Sequence, residues 1–147
     1  MVFLRHFSDN DADTIRVNQF PDMTKEDVLS MIHDWNSFSY EGKYFEMFAV
    51  RSGETIVGSA SFYQHSKTVG SFGIEIYESF RRFGFAYEAI HLLLEHAKQL
   101  GYRIIQDQVR TDNTASILLH EKLLFETDQY VYRNKNGHNC YIYLKAL

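Results

Sequence analysis

A long amphipathic helix is the feature that most limits the folds open to this chain. Apolar residues recur at helical spacing from about Phe85 to Leu100, and Gly101 follows where a helix end favours glycine. Strand-like stretches lie on either side, at 69–77 and 103–109. This order predicts a mixed sheet with helices packed on its faces.

The rest of the pattern extends this arrangement in both directions. The predicted elements are a strand at 1–7, helices at 9–20 and 24–35, strands at 44–50 and 55–63, a helix at 114–124 and two final tyrosine-rich strands. Asn136-Gly137 predicts a two-residue hairpin that places Tyr132 opposite Tyr141 and Val131 opposite Ile142. With one proline and no linker or repeat, we expect a single domain over 1–147.

Charge and cysteine content exclude several classes of function. The net charge of −4 argues against a nucleic-acid or membrane surface and favours cationic small substrates. One cysteine allows neither an internal disulfide nor a cysteine-based zinc cluster, and we expect a reducing, cytoplasmic location. No apolar run reaches the ~18 residues of a membrane span, and the N-terminus carries charge too early for a signal peptide. His91 and His96 do not share a helix face well, so no metal is expected.

The stretch 75–86 leaves a strand, forms a short basic loop and enters the long helix. Unpaired N–H groups and the positive dipole end at a helix N-terminus suit a phosphate. Gly84 would let the backbone approach an anion closely, and Arg81 and Arg82 add positive charge. Glycine and arginine are also common in such turns for geometry and solubility alone.

Arg81-x-x-Gly84-x-Ala86 resembles the loop by which acetyltransferases of the GNAT superfamily hold the pyrophosphate of coenzyme A. Phe85 to Ile90 is similar to the helix start of the ribosomal-protein N-acetyltransferase branch, and Asn113 to Phe125 is similar to that branch's Asn-x-x-Ser…Glu-Lys-Leu-Gly-Phe segment. Ile56-Val57-Gly58 resembles the family's apolar-Val-Gly strand. The matching motifs cover 56–125 in the right order and spacing.

The resemblance implies an α+β fold with a mostly antiparallel sheet of about six to seven strands, helices on both faces and one splayed parallel pair. It also implies an acetyl-CoA-dependent N-acetyltransferase without a metal, acting on a small-molecule or peptide amine; a homodimer is left open. The cofactor would contact Ile74, Ile76, Arg81, Arg82, Phe83, Gly84, Phe85, Ala86, Asn113 and Ser116.

Three positions depart from the family pattern. His120 stands where relatives often carry a tyrosine that protonates the leaving thiolate, and it is a candidate acid or a packed side chain. Gln108 replaces a glutamate base, so Glu75 becomes the candidate base, unless it faces solvent or pairs with an arginine. Leu124 replaces a glycine, which we expect to alter only the following turn.

The acceptor is expected to lie near the segment 35–45 and the polar run 106–108. Trp35, Phe38, Tyr40, Glu41 and Gln108 are the candidate substrate-binding residues, because aromatic rings with a carboxylate can hold a cation. Core packing is the alternative for the aromatic residues, and a solvated strand end for the polar run. Two other functions stay open: an acyl-CoA-binding regulatory module without catalysis, and an α/β domain whose loop is purely structural.

Overall fold

The computed structural model describes residues 1–147 and contains an eight-stranded sheet with helices on both faces. The elements are β1 (Phe3–His6), α1 (Ala12–Asn18), α2 (Lys25–Trp35), β2 (Ser39–Tyr40), β3 (Lys43–Ser52), β4 (Thr55–Gln64), β5 (Val69–Ile76), α3 (Phe85–Gln99), β6 (Ile104–Arg110), α4 (Thr114–Lys122), β7 (Tyr132–Arg133) and β8 (Asn139–Ala146). Short 3₁₀ turns lie at Asp9–Asp11 and Glu78–Phe80.

The strand order is β1-β3-β4-β5-β6-β8-β7, with β2 added beside β3. Every pairing is antiparallel except that of β5 with β6. Strands β4 and β5 approach closely at Gly58, where a Cβ atom would lie 2.1 Å from the carbonyl oxygen of Glu75. The predicted mixed, mostly antiparallel sheet with one parallel pair is therefore confirmed.

Alternation along the central strands divides the apolar residues between two cores. On β3, Phe48 and Val50 belong to the larger core, which buries Ile90 and Leu93 of α3. Ala49 lies between them in sequence and belongs to the smaller core. That core contains the buried residues of α1 and α2, namely Ala12, Ile15, Val28 and Ile32.

The predicted register of the last hairpin is wrong by one residue. Tyr132 lies opposite Cys140 rather than Tyr141, and Val131 precedes the paired strand. The turn is longer than two residues: the N–H of Gly137, at φ 81°, donates to Asn134 O at 2.9 Å. A left-handed glycine that closes a longer loop adds a residue to one strand and shifts the pairing.

Candidate active site

The two parallel strands separate soon after they meet. β5 and β6 pair only at Val69 with Ile104 and Gly70 with Ile105. Beyond Gly70 the strands diverge and leave a cavity of about 790 Å³ between β5, β6 and the N-terminal ends of α3 and α4. It is lined by Ser71, Phe72, Gly73, Ile74, Glu75, Ile76, Phe80, Arg81, Arg82, Gly84, Phe85, Ala86, Asp107, Gln108, Asn113, Ala115, Ser116, Leu119 and His120.

The backbone of β5 offers hydrogen-bonding groups to this gap. The N–H of Phe72 donates to the Asp107 side chain, and Ile76 O accepts from the Arg81 side chain. Neither group is hydrogen-bonded to β4. In an antiparallel pair, successive residues direct their backbone N–H and C=O groups alternately towards the paired strand and away from it. Ile74, midway between Phe72 and Ile76, therefore directs its N–H and C=O into the gap.

The loop before α3 exposes the start of that helix to the cavity. Gly84 is the N-cap residue, has φ 80° and provides no side-chain cap. Because the first N–H groups of a helix have no intrahelical acceptor, those at residues 85 and 86 are available to an anion. Arg82, also in the left-handed region at φ 71°, is exposed and has no ion-pair partner.

Arg81 is exposed, but its guanidinium group reaches back to β5. Its Nε donates to Ile76 O at 2.9 Å, and its Nη2 lies 3.1 Å from Glu75 Oε1. The carboxylate is 43% exposed and lines the cavity. Glu75 thus lines the cavity, but its carboxylate is paired with an arginine.

His120 and Asp107 form a buried pair in the cavity wall. Their side chains are 3% and 5% exposed, and His120 Nε2 lies 2.8 Å from Asp107 Oδ2. His120 Nδ1 lies 2.7 Å from Ser116 O, which can only accept, so Nδ1 carries a proton. Phe72 stacks on the imidazole ring at 4.9 Å. Both ring nitrogens are therefore engaged, and neither is free to face a ligand.

Two opposing effects act on the carboxyl group of Asp107. Burial raises the pKa of Asp107, against the opposing effect of its hydrogen bond to His120. Asp107 Oδ1 also accepts from the N–H of Phe72 at 3.0 Å. The pair thus connects β6, α4 and β5 at the point where the strands separate. The sequence signal for this pair is a carboxylate at a position where the alternation of apolar and polar residues along the strand predicts an apolar side chain.

The predicted cofactor residues come together, with one exception. All line the cavity except Phe83, which is 68% exposed and whose ring lies 5.8 Å from that of Phe85, tilted by 33°. Asn113 also caps α4, because its side chain accepts from the N–H of Ser116 at 3.1 Å. Their contact with coenzyme A stays a prediction.

The predicted acceptor residues divide between two places. Trp35 and Tyr40 line a second, smaller pocket, whereas Gln108 lines the main cavity. Phe38 and Glu41 line neither pocket, and Phe38 packs edge-on against His6 at 5.1 Å.

A second buried carboxylate lies outside both pockets and was not anticipated. Glu46 accepts hydrogen bonds from Tyr44 Oη at 2.6 Å and lies 2.7 Å from Nε2 of both His6 and His96. This cluster joins β1, β3 and α3. No group of three or more His, Cys, Asp or Glu residues is arranged to hold a metal ion, and no helix is long and apolar enough to cross a membrane.

Comparison with known proteins identifies the family. The family model described as an acetyltransferase (GNAT) domain matches residues 2–126. The chain therefore belongs to the GNAT acetyltransferase family, as the motifs predicted. A curated relative, the SPbeta prophage-derived uncharacterized N-acetyltransferase YokL of Bacillus subtilis (strain 168), is 33% identical over 97 residues. The match covers 64% of this chain and 55% of that relative.

Solved structures share the fold at low identity. The RimL ribosomal alpha-N-protein acetyltransferase in complex with coenzyme A has a TM-score of 0.84 at 17% identity, over 99% of this chain and 94% of that one. The yncA protein from Salmonella typhimurium with its cofactor acetyl-CoA has a TM-score of 0.74 at 14% identity, over 100% of this chain and 94% of that one. These likenesses confirm the fold class.

Proposed function

We propose that this chain is an acetyl-CoA-dependent N-acetyltransferase, a single domain over 1–147 that transfers the acetyl group directly to a primary amine. One observation carries the proposal: the gap between β5 and β6 ends at the uncapped N-terminus of α3. A long cofactor with a phosphate group at one end and a linear amide arm fits this arrangement. The family membership and the cofactors named for RimL and yncA support it.

Coenzyme A would lie along the gap. Its pyrophosphate would accept hydrogen bonds from the N–H groups of Phe85 and Ala86, near Arg82. Its pantetheine amides would pair with the free backbone groups of Ile74, as an added strand pairs with a sheet edge. The thioester would then lie close to Glu75.

Transfer needs a neutral amine. An alkylamine with a pKa of about 10.4 must lose a proton, which costs about 4.6 kcal/mol at pH 7. Glu75 would accept that proton directly or through water once Arg81 turns from it. The amine nitrogen attacks the thioester carbon, the N–C bond forms and the C–S bond breaks. The proton that the nitrogen loses as the amide forms is taken up by the leaving thiolate.

Proton donation by His120 stays a prediction that the geometry does not favour, because both ring nitrogens already have partners. The direct test compares His120→Tyr with His120→Phe in single-turnover transfer at equal cofactor occupancy. A direct donor role requires His120→Tyr to retain activity and His120→Phe to lose about 10²-fold.

The second candidate is an acyl-CoA-binding module with weak catalysis. Its specific support is that both predicted catalytic side chains are engaged, Glu75 by Arg81 and His120 by Asp107.

The decisive experiment measures thiol release from acetyl-CoA across a panel of amines, with the acetylated product detected by mass spectrometry. An acetyltransferase releases coenzyme A only when an acceptor is present. Tight coenzyme A binding without any amine-dependent release would contradict the enzymatic proposal and favour the binding module.

A further inference from the structure

A second, aromatic pocket lies beside the main cavity. We name it the aromatic pocket; it has a volume of about 280 Å³ and is lined by Asp34, Trp35, Ser39, Tyr40, Phe45 and Tyr63. These residues come from the end of α2, from β2, and from the outer ends of β3 and β4. A pocket of this volume is too small for a nucleotide and suits a small group on a ligand.

The rings of this pocket form walls rather than a close-packed core. Tyr40 lies 6.0 Å from Tyr63 with the rings at 75°, and 6.1 Å from Phe45 at 49°. Tyr40 is 56% exposed, so its ring contributes little buried surface to the stability of the fold. Trp35 is anchored from behind by Phe7, at 5.2 Å between ring centroids.

The only charged side chain that lines the aromatic pocket is Asp34. Its backbone oxygen accepts from Ser37 Oγ at 2.6 Å, but its carboxylate has no hydrogen-bond or ion-pair partner within the chain. Aromatic faces attract cations and a free carboxylate pairs with them. An ammonium group can interact favourably with both the aromatic faces and the carboxylate, whereas an anion can interact favourably with neither.

The aromatic pocket lies on the face of the sheet that α1 and α2 cover, and the main cavity reaches that face at Ser71. Phe45 lies opposite Tyr63, and Tyr63 lies opposite Ser71. Directly opposed residues in antiparallel strands point to the same face. Ser71 lines the near end of the main cavity, one to two strand spacings, roughly 5–10 Å, from the aromatic pocket, and Glu75 lies four residues, roughly 13 Å, further along β5.

We propose that the aromatic pocket binds a second, protonated nitrogen of the acceptor while the first nitrogen reacts in the main cavity. The acceptor is then a linear diamine or polyamine. This inference rests on the proposed function, because it assigns the substrate class of the same reaction. The overall charge of −4 is compatible with such a substrate.

Binding can be measured without any catalysis, because Trp35 is the one tryptophan of the chain. Its fluorescence is titrated with 1,4-diaminobutane, with tetramethylammonium and with the neutral 1,4-butanediol. Both cations should give a saturable change, and the diol none. Asp34→Asn and Tyr63→Leu should each weaken cation binding by about two- to fivefold. Asp22→Asn, an exposed aspartate before the other end of α2, is the matched control and should leave binding unchanged.

The kinetic arm compares α,ω-diamines of increasing length with the monoamines of equal length. Diamines should have the lower KM, with an optimum length, and Asp34→Asn should raise the diamine KM while the monoamine KM and both kcat values stay unchanged. Equal KM values for diamines and monoamines, or peptide acceptors preferred over both, would overturn the inference and leave the acetyltransferase proposal standing. A Trp35 signal with no transfer to any amine would support the cation site and contradict the proposed function.

Discussion

Asp107 is the side chain whose replacement tests the structure of the site most sharply. Its Oδ1 accepts from the N–H of Phe72, and its Oδ2 faces His120 Nε2. Asparagine has nearly the same shape and can reproduce both bonds, because its oxygen accepts from Phe72 and its amide donates to Nε2. His120 Nδ1 would still donate to Ser116 O. Alanine can make neither bond.

The expected magnitudes differ accordingly. Asp107→Ala leaves two buried polar groups without partners, the N–H of Phe72 and Nε2 of His120. Each such group costs about 1–3 kcal/mol, so the free energy of unfolding should fall by about 2–6 kcal/mol. For a chain of ~150 residues each kcal/mol lowers the Tm by about 2–4 °C. Asp107→Asn should change the free energy of unfolding by less than about 1 kcal/mol at about pH 4, where the carboxyl is still substantially protonated in the unfolded chain as well.

The pH dependence separates the two variants further. Burial raises the pKa of Asp107, so the folded protein retains a proton that the unfolded chain loses near pH 3.9. Folding then takes up a proton above that pH, and this contribution to stability declines as the pH rises, by up to about 1.4 kcal/mol per unit. Asparagine does not titrate, so the Asn variant should gain stability relative to wild type with rising pH.

The assay is urea denaturation of wild type, Asp107→Asn and Asp107→Ala from about pH 3.5, just below the unfolded-state pKa of an aspartate, to about pH 9, with circular dichroism confirming the native fold. Loss of equal stability in both variants would refute the hydrogen-bond assignment. A stability difference between the Asn variant and wild type that does not change with pH would refute the raised pKa of Asp107.

Three further predictions concern single side chains. Leu124 is 77% exposed at φ 64° in the turn after α4, so Leu124→Gly should raise the free energy of unfolding by about 1 kcal/mol in urea denaturation; a loss would contradict the strain. Glu46→Gln should lower it by about 1–3 kcal/mol at pH 7, because an amide nitrogen cannot accept the bonds that the carboxylate accepts. Burial raises the pKa of Glu46, but hydrogen bonds from Tyr44, His6 and His96 outweigh burial and lower it. The deficit should therefore shrink as the pH falls below about 4.3, and a deficit constant down to pH 3 would contradict this. Glu75→Gln should slow transfer to a high-pKa amine by about 10²- to 10⁴-fold with unchanged coenzyme A affinity, and a wild-type rate would place the base elsewhere.

The sequence predicts the fold well where local periodicity decides it. The long helix is expected from Phe85 to Leu100 and ends at Gln99. The prediction is accurate because the buried residues Ala89, Ile90 and Leu93 follow the helical spacing on which it rests. The hairpin after Arg133 was misplaced because turn length, and not strand pattern, sets its register.

The same distinction applies to the site. The loop from Arg81 to Ala86 is contiguous in sequence, so the sequence motif alone is enough to locate it. The Asp107–His120 pair depends on how β6 and α4 pack, and the sequence signals only the carboxylate of Asp107, not its partner. The aromatic pocket likewise joins Asp34 to Tyr63 through the sheet register, and the segment-based prediction found only Trp35 and Tyr40.

The most direct test of the cofactor site uses two glycines that flank α3. Gly84 and Gly101 both have left-handed φ values, 80° and 100°, and both have open space where a Cβ would lie. Valine at either position therefore brings similar backbone strain, but only residue 84 lines the main cavity. Isothermal titration with coenzyme A compares wild type, Gly84→Val and Gly101→Val. We expect Gly84→Val to weaken binding at least tenfold, about 1.4 kcal/mol, and Gly101→Val to bind like wild type. Equal affinity in folded Gly84→Val and wild type would contradict a pyrophosphate site at residues 81–86.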